Sequence, residues 1–187
     1  KIIIYTIWLI TTVFGIGIGG IMGFFGGRVD IVGQRIVEVL NSVPQFFLLL
    51  IIVSIFQPNL IWLVFISSLF GWIFISYYIR GEFLKNRRLE FVEAAKSLGA
   101  SRFRMIAKHI LPNSLGPVIT FAPFLIASHI TGLASLDYLG FGLQPPTPSW
   151  GELLKQAQEN FSTSWWLAPF PSLALFISLL FLYMFGE

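Results

Sequence analysis

The chain has 187 residues, 56% of them hydrophobic and only 11% charged, with 20 Phe, 6 Trp and no Cys. A water-soluble domain, with its usual charged share of about 25%, is excluded, and so are disulfides, thiolate nucleophiles and thiolate metal sites. The formal net charge of +3 speaks to membrane topology before nucleic-acid binding.

A helix needs about 20 apolar residues to cross a bilayer. Five segments meet or approach that length, at about 2–25, 31–56, 60–79, 115–136 and 165–185. No period-2 alternation is present, and five spans are too few for a barrel. The expected fold class is therefore an all-α, polytopic membrane protein with five transmembrane helices in a single domain. The chain starts at Lys1 and runs straight into apolar sequence without a signal-peptide pattern, so a longer parent chain with a further N-terminal span is expected.

The first segment carries Gly15, Gly19, Gly23 and Gly27 at i+4 spacing, a small-residue ridge that lets another helix approach closely. GIGIGG (15–20) also matches the dinucleotide fingerprint formally, but no strand precedes it and it lies within a span, so close packing is the better account. The second segment opens amphipathic (IVGQRIVEVLNS) and ends as almost pure hydrocarbon (VPQFFLLLIIVSIF). Arg35 and Glu38 are spaced to pair on one helix face. Pro44, and Pro123 in the fourth segment, each remove a backbone donor and predict a kink.

Residues 80–108 hold eight of the twelve Lys and Arg, namely Arg80, Lys85, Arg87, Arg88, Lys96, Arg102, Arg104 and Lys108. The spacing predicts a short helix over 90–99 with Phe91, Ala94, Ala95 and Leu98 on one apolar face. Gly99 is placed to end it. Ser101 caps a second helix, with Phe103, Ile106, Ala107 and Ile110 as its stripe and Pro112 at its close. Three readings of this loop compete: a basic surface lying on anionic lipid, packing against the protein's own span ends, or a knob for a partner.

The fourth segment buries His129, with Asp137 at its outer end. Together with Glu38 these are the intramembrane ionisable candidates, for either a substrate path or a structural pairing. The last connection, 137–164, contains the stiff stretch QPPTP with Pro145, Pro146 and Pro148. Trp150 follows, then a Ser149–Glu152 capping box and a helix striped by Leu153, Leu154, Ala157 and Phe161. It reads as a membrane-surface turn or as a docking element.

Basic residues cluster in the first and third connections, which places those in the cytoplasm and the second and fourth outside. No Walker A motif, HExxH or nucleophile elbow is present, and the two His are far apart without carboxylates, so no catalytic residue and no metal ligand is expected.

The run EAAKSLGASRFRMIAKHILP (93–112) resembles the EAA loop of ABC-importer permeases in Glu93, Ala94, Ala95, Gly99, Leu111 and Pro112, with His109 where the general pattern has Ile. SLDYLGFGLQPPTPSWGELL (135–154) resembles the oligopeptide, dipeptide and nickel permeases, its wording closest to the branch for longer peptides and microcin C-like antibiotics. The resemblance spans essentially the whole chain. It implies a multi-pass permease subunit of a type I importer in the bacterial inner membrane, moving peptides and working beside a second, similar permease. It also implies two cytoplasmic ATPases, which bind ATP-Mg and hydrolyse it, and an extracytoplasmic solute-binding protein. This chain would then be no enzyme and hold no cofactor. Glu93, Ala94, Ala95, Leu98, Gly99, Arg102 and Pro112 would form the coupling element. The alternatives are a stand-alone proton-coupled transporter relaying protons through Glu38, His129 and Asp137, and a membrane scaffold.

Overall fold

The computed structural model describes residues 2–55, 60–142 and 147–186. These form α1 (Ile2–Phe25), α2 (Gly27–Asn41), α3 (Gln45–Ile55), α4 (Leu60–Asn86), α5 (Glu90–Ser97), α6 (Arg102–Arg104), a π-helical turn (Met105–Ile110), α7 (Leu111–Ser114), α8 (Gly116–Tyr138), α9 (Trp150–Glu159), a 3-10 turn (Trp165–Leu167) and α10 (Pro169–Gly186). No strand occurs among the described residues.

Four stretches, Ile3–Phe25, Leu63–Asn86, Gly116–Tyr138 and Trp165–Gly186, are long and apolar enough to cross a membrane, and α2 with α3 passes the same test only as a pair with a bend at the break between them. The bend falls where Ser42 N–H closes α2 on the Glu38 carbonyl and the Pro44 carbonyl opens α3 by accepting from Leu48 N–H. Pro44 has no N–H to carry the ladder through. Pro123 sits inside α8, which continues past it. The third span differs from its expected end near residue 79, because α4 runs on to Asn86 and takes Arg80 and Lys85 into the helix.

By its contacts the chain divides into two compact units, one of Leu9–Val43 with Ser68–Thr120, the other of Lys1–Trp8, Pro44–Ser67 and Phe121–Glu187. In the first unit α1 lies against α4 along its glycines. A Cβ at Gly15 would stand 2.7 Å from Ile75 Cβ, one at Gly19 2.5 Å from the Ser76 carbonyl oxygen, and one at Gly23 2.7 Å from the Arg80 carbonyl oxygen. Gly27 departs from this row. A Cβ there meets open space, because α1 has ended and the chain turns its corner through positive φ at Gly26 and Gly27. Met22, Val37 and Ile73 form the buried core here, packed by Ile18, Leu40, Phe70, Trp72 and Tyr77.

The corner is held by two arginines seven residues apart, Arg80 on α4 and Arg87 in the turn just past its end. Arg80 Nη2 donates to Asp30 Oδ2 at 2.7 Å and its Nε donates to Oδ1. Gln34, with its amide turned to suit its neighbours, accepts from the same guanidinium. Arg87 Nη1 donates to the Phe24 carbonyl at 2.8 Å, satisfying an acceptor that the end of α1 leaves without a helical partner.

In the second unit Val53, Leu63 and Leu136 form the buried core, packed by Leu49, Leu50, Leu133 and Phe141. The rings of Phe124 on α8 and Tyr183 on α10 lie 5.4 Å apart. Helix α9 starts as expected, with Ser149 Oγ accepting from Glu152 N–H at 3.0 Å. The Glu152 carboxylate accepts from Gln156 Nε2. Its inward line is Gly151 and Ala157, both buried, with Leu154 half-buried, while Leu153 and Phe161, expected on the inner stripe, are exposed. The reason is close approach: at Gly151 a Cβ would run into the Ala134 carbonyl of α8, so the glycine face is the one that packs. Tyr138 Oη is hydrogen-bonded to Gln158 Oε1.

Candidate functional site: the basic helix–glycine–helix loop

Helix α5 has no side-chain cap at Leu89, but Glu90 and Glu93 lie in its first turn, where carboxylates favour the exposed N–H groups. It ends in a Schellman motif: Gly99 N–H donates to the Lys96 carbonyl and Ala100 N–H to the Ala95 carbonyl, both at 3.0 Å. Gly99 has φ +81, the left-handed value this motif requires at its first residue beyond the helix. Ser101 then accepts from Arg104 N–H at 3.3 Å, starting the second arm.

That second arm is not the regular helix the spacing predicts. After α6 it widens into the π-turn, in which Leu111 N–H reaches back to the Ile106 carbonyl. Its inward residues are Met105 and Ile110, five apart and both buried. Phe103, expected on the inner stripe, is 80% exposed, and Ala107 is exposed too. Pro112 brings no N–H, so the α ladder cannot close over it. Side chains take over, with Asn113 Nδ2 donating to the His109 carbonyl at 2.6 Å and Ser114 Oγ to the Ile110 carbonyl at 2.8 Å.

The two arms meet through the rings of Phe91 and His109, centroids 6.4 Å apart, and Val92, next in the chain to Phe91, is buried. Of the face expected to be apolar, Ala95 is half-buried and Ala94 is exposed. Leu98, 88% exposed, and Phe103 stand on either side of the Gly99 bend. Glu93, Arg102 and Arg104 are exposed around them, and among the described residues no charge from Glu90 to Lys108 is in an ion pair. The loop is thus a capped, hydrogen-bonded turn that presents an apolar tip ringed by uncommitted charge, a surface suited to a partner.

The other expected positions lie apart from it. Arg35 Nη1 and Glu38 Oε2 pair at 2.6 Å on the exposed side of α2. His129 is half-buried within α8. Asp137 is buried at the end of α8, with Gly142 and Gly151 against it. Pro148 is exposed and Trp150 opens α9, while Pro145 and Pro146 lie outside the described residues. Sequence reasoning missed Asp30, Asn86 and Ser114. Asp30 carried one usable signal, an acid beside a double-glycine corner in a chain with nine Asp and Glu.

A family model for the inner membrane component of binding-protein-dependent transport systems matches residues 15–186. The chain is 43% identical over 173 residues to the inner membrane ABC transporter permease protein YejE of Escherichia coli K12, covering 92% of this chain and 51% of that protein. It is 38% identical over 176 residues to the peptidoglycan transport system permease protein YejE of Agrobacterium fabrum, covering 94% and 46%. To the oligopeptide transport system permease protein OppC of E. coli K12 it is 35% identical over 162 residues, covering 87% and 54%. The chain spans about half the length of these curated relatives. With EAA-type residues on a helix–glycine–helix loop between apolar helices and a family match over nearly all of its length, the chain belongs to the inner membrane components of binding-protein-dependent transport systems.

Proposed function

We propose that this chain is the membrane-embedded part of a permease subunit in an ATP-driven importer of peptides. The oligopeptide and peptidoglycan relatives support peptide-type cargo. The observation that carries the coupling role is the tip: Leu98 and Phe103 held outward on either side of the left-handed Gly99. An exposed Leu–Phe pair on a fixed bend stabilises a complex by leaving water, and Ala94 beside it allows close approach. Glu93, Arg102 and Arg104 supply charge for register. In this reading the loop faces the cytoplasm and seats in an ATPase subunit that binds ATP-Mg. A second permease completes the pathway, and an extracytoplasmic binding protein delivers the peptide. Coupling then requires that the loop bind one state of the ATPase better than the other.

The test uses the full-length protein co-expressed with its partner permease, ATPases and binding protein. Leu98→Asp and Phe103→Asp are expected to lower ATPase co-purification by about tenfold, the effect of losing roughly 1.4 kcal/mol at an anchor, and to abolish ATP-dependent peptide uptake. Unchanged co-purification and uptake in both variants would sink the docking role. Uptake driven by a pH gradient without ATPases would favour the proton-coupled alternative.

A further inference from the structure

The loop enters from α4, which runs unbroken to Asn86, and leaves through α7, which stops at Ser114. Leu115, still right-handed in its backbone, joins α7 to α8, which starts at Gly116. Asn86 and Ser114, 28 positions apart, meet at this root: Asn86 Nδ2 donates to Ser114 Oγ at 2.9 Å. Asn86 is 4% exposed and Ser114 fully buried. The Ser114 hydroxyl hydrogen goes to the Ile110 carbonyl, which can only accept. Its lone pairs are then left for a donor, which sets the Asn86 amide with N–H toward the serine. The relay is complete and directional, and it ties the last residue of α4 to the end of the π-turn.

We infer that Asn86 and Ser114 are positioning residues that make the loop and α4 move as one body. A loop joined to its helix by the short turn after Asn86 alone transmits a pull but little torque. A second attachment at the loop's far end supplies the missing constraint. On the exit side Leu115 keeps a right-handed helical backbone and its carbonyl accepts from Ile119 N–H, so a displacement of the tip reaches α8 through the chain and reaches α4 through the Asn86–Ser114 bond. From α4 it passes to α1 and α2 through the glycine contacts, the Arg80–Asp30 pair and the Arg87–Phe24 bond. All of these lie in one compact unit. Neither residue is at the exposed tip, so their role is in transmitting the motion and separate from docking. The inference rests on the importer reading above.

The deciding variant is Asn86→Leu combined with Ser114→Ala in the reconstituted full assembly. Replacing both partners by apolar groups removes the bond and leaves neither side chain of the pair orphaned; the Ile110 carbonyl loses its Ser114 hydroxyl donor. The expected result is normal ATPase co-purification and thermal midpoint, with peptide taken up per ATP hydrolysed reduced about tenfold, within the range of typical coupling energies. A purely structural role predicts the opposite: lower midpoint and recovery, with the ratio unchanged in whatever complex survives. An unchanged ratio overturns the inference while the importer reading stands, provided the wild-type assembly transports. A wild-type assembly without ATP-dependent uptake defeats the importer reading, and this inference with it. If the double variant does not assemble, Ser114→Ala alone is measured in its place: a reduced ratio supports the inference and an unchanged one overturns it.

Discussion

Asp30 and Arg80 meet across 50 positions of sequence in a chain that is otherwise apolar. Both are largely buried, with side chains 12% and 22% exposed, so neither is well hydrated if its partner is lost. Asp30→Asn is expected to lower the stability of the purified protein by about 2 kcal/mol, the scale of a charge-assisted hydrogen bond. Arg80→Met is expected to cost a similar amount. The double variant Asp30→Leu, Arg80→Met should cost clearly less than the sum, because a pair removed whole leaves no uncompensated charge. Thermal unfolding in detergent measures all three, and strict additivity would show the pair to be unimportant. Gly99 presents a different residue-scale constraint. A Cβ there meets nothing, so only its left-handed backbone resists substitution. Gly99→Ala should cost about 1 kcal/mol and Gly99→Asn less. Hydrogen exchange of the amides from Leu98 to Arg104 should quicken most in the alanine variant and less in the asparagine one. Equal exchange in both variants and the wild type would show that the bend does not depend on glycine.

Helix α1 shows how one element sorts chemically identical residues. Gly17 and Gly19 are both helical, yet a Cβ at Gly17 has open space and one at Gly19 would lie 2.5 Å from the Ser76 carbonyl. Gly19→Ala must push α1 off α4 and should destabilise by about 2 kcal/mol, as overpacking does. Gly17→Ala should be neutral or stabilising by up to about 1 kcal/mol through helix propensity. Equal midpoints for the two variants would refute this sorting. The ridge was legible in the sequence because i+4 spacing is a property of the helix alone. The Ser101 and Ser149 caps and the Gly99 bend were legible for the same reason, since each is set by a few neighbouring residues. The π-turn was not. MIAKHI carries an acceptable 3.6-residue stripe on paper, and only the missing N–H of Pro112, answered by Asn113 and Ser114, shifts the buried pair to Met105 and Ile110. The outward turn of Leu153 and Phe161 was hidden as well, because it depends on how closely Gly151 approaches α8.

At the scale of the whole molecule, long-range pairings such as Arg80–Asp30 and Asn86–Ser114 leave no periodic trace, so the sequence could name the loop but not its root. Charge distribution, by contrast, is legible without any structure. Arg28, Arg35 and the eight basic residues of 80–108 all fall in the first and third connections or in the helices beside them, whereas the fourth carries Lys155 alone. Retaining short basic connections on the cytoplasmic side sets the orientation of the spans. The chain contains no Cys, so single cysteines placed in it report orientation without background from this segment. Leu98→Cys at the exposed tip and Ser162→Cys on the exposed stretch beyond α9 should label from opposite sides with a membrane-impermeant maleimide. Ser162→Cys is expected to react in intact cells. Leu98→Cys should react only in inverted vesicles, and there only after the ATPases are stripped, because a docked subunit would cover the tip. Labelling of both positions from one side would overturn the orientation. Labelling of Leu98→Cys at the same rate with and without bound ATPase would leave the orientation intact and remove Leu98 from the docking surface.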